Sequence, residues 1–287
     1  MPTLAMFCYF VDNFDMSNKR ATAAGARAAS RVPPSYAEYE GDRQFATTLA
    51  RGLELLRCFS PAQPLLGNKD LAQQMNLPRP TISRLTYTLV RMGYLVQDGD
   101  SGKYRLGSAV VSLGFPLLET FPIRQRARAG MMELAQRVRG TVAIAIRDRL
   151  DMVCIEVTRA GARGGHPIDI GRTYSMCGTA VGRAYLAACT AVERQALLNQ
   201  LQVKAPQQWA QHKARLLQNL AAYPATGCCV SVGEIYPDVQ AVAVPLGRVD
   251  RGELAAINVS FQRRALDERW LVEEVAPQLT ALARQLV

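Results

Sequence analysis

Apolar residues recur at helical spacing in three stretches near the start of the chain. The first covers residues 49–59, with Leu49, Leu53, Leu56 and Phe59 as its apolar positions, and the second covers residues 71–75. The third runs from about residue 79 to residue 92 and has Ile82, Leu85 and Leu89 as its apolar positions. Because residues three or four positions apart share one face of a helix, this pattern predicts three helices with one buried face each.

Two short segments of strand type follow the third helix, at residues 94–97 and 103–106. The residues between them, Asp98-Gly99-Asp100-Ser101-Gly102, are of the types that form hairpin turns. Three helices followed by a hairpin is the order of a winged helix-turn-helix domain, which we predict for residues 45–108. An apolar helical stretch over residues 109–121 then predicts a linker helix.

The chain from residue 122 to residue 287 alternates between helices and strands. We predict strands at 142–146, 152–157, 228–235, 239–246 and 253–261, and helices at about 123–139, 179–189, 191–201, 207–221 and 267–286. Strands joined by short connections beside helices indicate an α+β domain with a mainly antiparallel sheet. Residues 1–44 contain a stretch rich in Ala, Ser, Gly, Pro and Arg, and they predict a flexible N-terminal extension.

The outward face of the third helix carries basic and hydroxyl side chains. At 100° per residue, Arg84, Tyr87 and Arg91 point away from the apolar face, and Ser83 and Thr88 flank them. Arg can bond O6 and N7 of guanine, and hydroxyl groups bond phosphates or base edges. The face is therefore suited to the major groove of double-stranded DNA.

Two neighbouring segments extend this predicted surface. The third helix begins with Arg79-Pro80-Thr81, where free backbone amides can meet a phosphate, and Lys103 and Arg105 share one face of the second wing strand. We expect DNA contacts from Arg79, Thr81, Ser83, Arg84, Tyr87, Thr88, Arg91, Lys103 and Arg105.

The charge of the chain supports a polyanionic partner only mildly. The net charge is +10, but most of the excess lies after residue 120, outside the predicted winged helix. Amphipathic helices with outward arginines are common, and winged helices also bind proteins. A ligand sensor whose winged helix mediates protein–protein contacts is therefore the alternative to a DNA-binding protein.

Eight segments, in chain order, carry a resemblance to a known family: RGLELL, DLA, LPRPTISRL, GYL, KYRLG, GTAVGRAYLAA, AVAVPL and AAINVS. Over residues 45–287 the chain resembles the IclR family of bacterial transcriptional regulators. The resemblance implies a GAF-like effector-binding domain over residues 122–287. It also implies a homodimer or homotetramer that binds a palindromic operator in double-stranded DNA, as a repressor or an activator, under the control of a small molecule.

Two stretches of the second domain indicate a small-molecule site on physical grounds. Cys177-Gly178-Thr179 leads directly into a helix, whose N-terminus suits a carboxylate. In strand 253–261, Asn258 and Ser260 share one face and need partners if that face is covered. Each observation also has a plain structural explanation, because Gly-Thr is a common helix cap and both polar side chains can bond neighbouring backbone.

The resemblance implies that these stretches and the strand near residue 241 line the effector site. Because Ala180 and Ala241 offer no polar side chain, specificity is expected from backbone amides, Thr179, Asn258, Ser260 and apolar shape. We expect a small organic acid, aromatic acids included, with its carboxylate at the Thr179 helix end. The expected lining is Met176, Gly178, Thr179, Ala180, Glu234, Asp238, Ala241, Asn258 and Ser260, with Glu234 and Asp238 at the rim.

Other function classes find little support. Without a GxSxG elbow, an HExxH motif or a glycine-rich phosphate loop, we expect no catalysis, although Ser175, Cys177 and Ser260 as nucleophiles with His166 as base form an enzyme alternative. Seven scattered cysteines without a CxxC pair indicate reduced thiols and neither a metal site nor a cofactor. Since no apolar run reaches the roughly 18–20 residues that span a bilayer, we expect a cytoplasmic protein without membrane contacts.

Overall fold

The computed structural model describes Tyr39 and residues 42–161, 169–262 and 267–287. The chain divides into two compact units between Gly107 and Ser108. Most of the predicted N-terminal extension, and also His166, lie outside the described residues. The boundaries that we predicted for the extension, the winged helix, the linker helix and the second domain stay predictions.

The first unit has the predicted winged helix-turn-helix order. Its elements are α1 (Thr47–Arg57), α2 (Asn68–Met75), α3 (Arg79–Arg91), β1 (Leu95–Gln97) and β2 (Tyr104–Leu106), and the two strands form an antiparallel hairpin.

The apolar face of α1 differs from the prediction. Leu49 and Leu53 are 64% and 49% exposed, whereas Leu55, outside the predicted set, is fully buried in one core with Leu71 and Ile82. Helix α1 offers two apolar stripes, and packing against α3 selects the one that carries Leu55.

The turn between α2 and α3 follows from its local sequence. Asn76 has a left-handed backbone (φ 51°), which Asn adopts at little cost, and it ends α2. Pro78 then precedes α3, and Pro80 lies in the first turn, where a missing N–H breaks no helical bond. Asn68 of α2 donates to Ser83 Oγ at 3.2 Å. The two helices are thereby held together at their polar side as well as through their apolar core.

The second unit is an α+β domain, as predicted, with a six-stranded antiparallel sheet in the order β5-β4-β3-β8-β7-β6. Strand β5 was not predicted, because three residues are too few for a pattern. The strands are β3 (Thr141–Asp148), β4 (Asp151–Arg159), β5 (Thr173–Ser175), β6 (Cys229–Val232), β7 (Val239–Arg248) and β8 (Leu254–Gln262).

Helices cover both faces of this sheet. One face packs against α5 and α10, and the other packs against α6 and α8. Among the described residues, no helix is both long and apolar enough to cross a membrane. The helices are α4 (Ala109–Glu119), α5 (Ile123–Val138), α6 (Ala180–Ala188), α7 (Ala191–Lys204), α8 (Pro206–Thr226), α9 (Glu268–Trp270) and α10 (Ala276–Leu286), with a π-helical turn at Leu271–Val275.

Alternate residues of β3, β7 and β8 contribute to the two faces, because successive side chains of a strand point to opposite sides. On the α5 and α10 side they are large and branched: Val142, Ile144, Val242, Val244, Ile257 and Val259. On the α6 and α8 side they are small: Ala143, Ala145, Ala241, Ala243 and Ala256. The small side chains let α6 lie close against the sheet.

Candidate functional site

The residues predicted to contact DNA lie mostly at the surface of the first unit. Tyr87 is 68% exposed. Thr81 is half-buried, and the hydroxyl of Thr88 donates to the carbonyl of Arg84 at 3.0 Å, within α3 itself. The exposed members of the predicted set are Arg79, Ser83, Arg84, Tyr87, Thr88, Arg91, Lys103 and Arg105.

The tip of the wing is held by its own turn. The Asp98 carboxylate accepts hydrogen bonds from the hydroxyl of Ser101 and from its backbone amide, and these bonds keep the pKa of Asp98 below its ordinary value. Gly102 follows with φ 65°, a conformation that favours glycine. The turn thus fixes the register of β1 and β2, and with it the placement of Lys103 and Arg105.

A cavity of about 550 Å³, counted to its open mouth, lies in the second unit. It is lined by Cys154, Tyr174, Gly178, Thr179, Ala180, Val181, Ser231, Glu234, Ile235, Tyr236, Val239, Ala241, Asn258 and Ser260.

Two residues of the expected lining lie elsewhere. Met176 is fully buried in the core beneath α6, where Gly182 packs against its backbone. Asp238 is exposed and accepts a hydrogen bond from Gln262 at 3.1 Å. The structure brings together the other seven expected residues, which are Gly178, Thr179, Ala180, Glu234, Ala241, Asn258 and Ser260.

Tertiary structure adds lining residues that we did not predict. Tyr174 belongs to the short strand β5, and Ile235 and Tyr236 belong to the loop between β6 and β7. Arg172 donates to the Tyr236 hydroxyl at 3.1 Å. In the sequence, the aromatic side chain of Tyr236 within a stretch rich in turn residues was the signal that could have placed this loop at a site.

The N-terminus of α6 lies at the cavity. Thr179 is its N-cap: the hydroxyl accepts from the amide of Gly182 at 3.3 Å and donates to the carbonyl of Ser175 at 2.7 Å. The hydroxyl therefore caps α6, which is the structural role that Gly-Thr commonly has at a helix start. No described residue accepts a hydrogen bond from the amides of Ala180 or Val181, which are among the four orphan donors of a helix start. These amides and the helix dipole favour an anion.

The two polar residues of β8 differ in their hydrogen bonding. Ser260 is 1% exposed, and its hydroxyl donates to the carbonyl of Thr141 at 3.4 Å. Asn258 is 5% exposed, and its side-chain amide has no hydrogen-bond partner among the described residues. Its neighbours on the adjoining strands are Ala143 and Ala243, which offer no polar side chain.

A buried ion pair closes one side of the cavity. The fully buried Arg183 of α6 donates through Nη1 to Glu234 Oε1 at 2.8 Å and through Nη2 to Oε2, which makes the pair bidentate. In addition, its Nε donates to the carbonyl of Cys177 at 3.0 Å, and Nη1 donates to that of Val230 at 2.7 Å. Glu234 was expected at the rim for ligand contact. Its negative charge is instead balanced by Arg183, and the pair links the β6–β7 loop to α6.

His212 of α8 lies beside this pair. Its Nδ1 is 3.8 Å from Glu234 Oε2, and its side chain is 4% exposed. Burial lowers its pKa below the ordinary value; Glu234 opposes that shift, and Arg183 adds to it. The imidazole is therefore neutral near pH 7.

The candidate nucleophiles of the enzyme alternative are engaged or protonated. Ser175 Oγ donates to Gln208 at 2.8 Å and accepts from the amide of Gly178 at 3.2 Å. Burial raises the pKa of Cys177 to about 11. In the described parts of the chain, no cluster of three or more His, Cys, Asp or Glu residues is placed to hold a metal ion.

A winged helix-turn-helix domain followed by a second domain with a cavity is an architecture found in DNA-binding transcriptional regulators. Comparison with known proteins agrees with this class. The family model described as "IclR helix-turn-helix domain" matches residues 48–99, and that described as "Bacterial transcriptional regulator IclR C-terminal" matches residues 115–287. The chain belongs to the IclR family of transcriptional regulators.

Individual relatives show how far the similarity extends. The HTH-type transcriptional regulator TsaQ1/TsaQ2 of Comamonas testosteroni is 35% identical over 205 residues, which cover 70% of this chain and 73% of that protein. The crystal structure of an IclR family regulator from Brucella abortus is 39% identical, with a TM-score of 0.76, covering 85% of this chain and 92% of that one.

A third comparison concerns the fold alone. An IclR homologue from Microbacterium hydrocarbonoxydans, solved in complex with 4-hydroxybenzoate, is 21% identical with a TM-score of 0.59. The match covers 83% of this chain and 99% of that chain.

Proposed function

We propose that a small organic acid, aromatic acids included, binds in the cavity of the second unit and changes the affinity of the regulator for its operator. The observation that carries the proposal is the N-terminus of α6, where the free amides of Ala180 and Val181 lie at a cavity lined mainly by apolar groups. An IclR homologue was solved in complex with 4-hydroxybenzoate, which is an acid of the proposed kind.

A proline substitution tests the carboxylate position. Ala180→Pro removes one amide donor at the first helical position, where proline is tolerated, and Ala191→Pro makes the same change at the start of α7 as a control. By calorimetry with a panel of aliphatic and aromatic monocarboxylates, we expect Ala180→Pro to weaken binding at least about tenfold and Ala191→Pro to leave it unchanged. A wild-type protein that binds benzamide as well as benzoate, or no acid of the panel, would contradict the proposal.

We propose that α3 reads base edges in the major groove, with Arg84 and Arg91 as base contacts and Lys103 and Arg105 of the wing at the phosphates. In support, Arg84 and Arg91 are exposed on the face opposite Ile82 and Leu85. The operator is proposed to be palindromic. A gel shift on the intergenic DNA beside the gene should show affinity that falls steeply with salt. Salt-independent or absent binding would instead favour a protein-interaction role for the winged helix.

Arg84→Ala separates base contact from phosphate contact. We expect it to weaken operator binding by about 1–3 kcal/mol and random-DNA binding much less, if Arg84 makes a bidentate base contact. Lys69→Ala removes one exposed positive charge from α2 and is the matched control. Equal losses on operator and random DNA would make Arg84 a phosphate contact.

We propose a homo-oligomer, dimer or tetramer, as the working form. Helix α4 has no buried residue in the chain as described, and four of its large apolar side chains are between 48% and 73% exposed: Val111, Leu113, Phe115 and Leu117. An uncovered apolar helix face is a typical protein contact surface. Light scattering of wild type and Phe115→Glu tests this, and a wild-type monomer would contradict it.

We also propose that the protein has no catalytic activity of its own. The engagement of Ser175 and Ser260 in hydrogen bonds and the raised pKa of Cys177 support this proposal. Turnover of a bound acid by the purified protein, followed by chromatography, would overturn it.

A further inference from the structure

Three hydroxyl groups of α3 differ in where their hydrogen atoms go. Thr86 and Thr88 each donate to a carbonyl one turn earlier in the helix, at 3.0 Å in both cases. The hydroxyl of Ser83 donates to none of the described residues, although it accepts a hydrogen bond from Asn68 Nδ2 at 3.2 Å. Because Ser83 is exposed on the outward side of α3, its hydrogen is open to a bound molecule.

A second contact fixes the orientation of the Asn68 amide. Asn68 Oδ1 lies 3.4 Å from the hydroxyl of Thr86, which shares its hydrogen between that oxygen and the carbonyl of Ile82. Thr86 is fully buried, and buried hydroxyls keep their hydrogen-bond partners. With Oδ1 towards Thr86, the NH₂ group faces Ser83, and an NH₂ group can only donate. The oxygen of Ser83 therefore accepts, and its hydrogen points away from Asn68.

This arrangement changes what the serine can recognise. A free serine hydroxyl rotates, donates and accepts, so it can bond a phosphate or any base edge. When one lone pair is occupied by Asn68, the hydroxyl offers a directed hydrogen instead. Such a group favours acceptors, which on DNA are the phosphate oxygens and, in the major groove, N7 of the purines, O6 of guanine and O4 of thymine.

We propose that Asn68 is a positioning residue for DNA recognition. Its amide holds the Ser83 hydroxyl as a directed donor, and that hydroxyl bonds an acceptor atom of the bound DNA, either a phosphate oxygen or an acceptor on a base edge. The inference rests on the proposed function, because it adds a contact to the face of α3 that is proposed to read the major groove. Asn68 belongs to α2, so the pattern of α3 alone does not reveal its role.

A double-mutant cycle tests the coupling between the two residues. The variants are Ser83→Ala, Asn68→Ala and their combination, in the full chain. Fluorescence anisotropy at one salt concentration measures their binding to the intergenic DNA beside the gene and to a random duplex of equal length. On the intergenic DNA, we expect Ser83→Ala to weaken binding about three- to tenfold, Asn68→Ala about threefold, and the double variant no more than Ser83→Ala.

The control and the two DNAs refine the result. Gln73→Ala removes an exposed amide of α2 whose side chain bonds no described residue, and it should leave binding unchanged. An equal loss on both DNAs in Ser83→Ala places the hydroxyl at a phosphate, whereas a loss confined to the intergenic DNA places it at a base edge. Both results support the inference.

Asn68→Asp tests the direction of the hydrogen bond. A carboxylate only accepts, so the Ser83 hydroxyl has to turn its hydrogen towards the carboxylate and away from the DNA. We expect an additional loss of about three- to tenfold, which disappears when the same change is made in Ser83→Ala; the loss that remains there is the effect of the added charge. Because an acidic residue is favourable in the first turn of a helix, this variant also decides the question if Asn68→Ala does not fold.

Three results would overturn the inference. One is unchanged binding of both DNAs by Ser83→Ala. Another is a double variant whose loss is the product of the two single losses, which would show that Asn68 acts independently. The third is an equal effect of Asn68→Asp with and without the serine, which would show that Ser83 already donates to Asn68. In these cases the wild type still binds DNA and Arg84→Ala still weakens it, so the proposed function stands; if the wild type binds no DNA, both fail.

Discussion

The two faces of β3, β7 and β8 share one backbone, but they carry side chains of different size. On one face, branched side chains such as Ile144, Val242 and Ile257 fill the space to α5 and α10. On the other, alanines pack against α6, and the cavity lined by Ala241, Asn258 and Ser260 opens beside them. Alternation along three strands is enough to give one sheet a packed side and a hollow side.

The difference shows where stability and function are separated. A filled layer gains apolar burial and dispersion contacts, whereas a void offers its lining no partner atoms. The hollow face also carries the buried side-chain amide of Asn258, which has no hydrogen-bond partner among the described residues. The packed face thus stabilises the fold, and the hollow face keeps unsatisfied groups for a ligand.

The largest expected effect concerns the ion pair that closes the hollow side. Glu234→Ala leaves the fully buried Arg183 without its carboxylate, and we expect a loss of about 3–5 kcal/mol in the free energy of unfolding. Glu253→Ala, at an exposed glutamate, is the control and should stay within about 0.5 kcal/mol. Denaturant titration measures both, and similar small losses would show that the pair does not hold the loop.

A pair of neighbouring substitutions compares the two faces directly. Ile257→Ala removes buried methyl groups from the packed face and should destabilise by about 2–5 kcal/mol. Asn258→Ala, one residue further on, opens an existing cavity and removes an unpaired amide, so the change should be below about 1 kcal/mol. Equal losses in urea unfolding would mean that the two faces are equally packed.

The buried histidine adds a pH dependence to the hollow side. Because the pKa of His212 is lower in the folded protein than in the unfolded chain, the unfolded chain binds the proton first as the pH falls. We therefore expect stability to fall as the pH drops below about 6.5, the ordinary pKa of His, until the folded protein also takes up the proton. The charged groups that face His212 are Glu234 and Arg183, with Arg215 behind Glu234.

The His212→Gln variant isolates this effect. Between pH 7 and pH 5, the wild type should lose more unfolding free energy than the variant, which has no imidazole at this position. Denaturant titration at each pH measures both values. A difference that does not change with pH would show that His212 titrates alike in both states.

The smallest change in stability comes from filling the cavity. Ala241→Leu places a larger side chain in empty space, so we expect less than about 1 kcal/mol of change in unfolding free energy, together with loss of acid binding. Ala135→Leu, at a fully buried position of the packed layer, is the contrast, and overpacking there should destabilise by about 1–3 kcal/mol. Unchanged acid binding in Ala241→Leu, by calorimetry, would place the ligand elsewhere.

The sequence predicted those features that depend on near neighbours along the chain. The exposed face of α3 follows from the spacing of Ile82, Leu85 and Leu89, and the helix start at Thr179 follows from its type and the apolar run after it. The alternation in β8 likewise placed Asn258 and Ser260 on one face. Such patterns are local because the periods of helices and strands are set by backbone geometry.

The partners of individual side chains required the fold. Arg183 lies within an apolar helical segment, and its partner Glu234 is 51 residues away. The Thr179 hydroxyl was expected to meet the ligand, and the structure shows it bonded to Ser175 and Gly182. Tyr174 and Tyr236 reach the cavity only because β5 and the β6–β7 loop converge there.

The sequence alone therefore determined the two-part architecture, the family and the faces of α3 and β8. Only the tertiary structure decided which of two apolar stripes on α1 is buried, that Met176 lies in the core and outside the cavity lining, and that Asn258 has no side-chain partner among the described residues. The physical reason is that periodicity is a property of one segment, whereas burial and hydrogen-bond pairing depend on which distant segments meet.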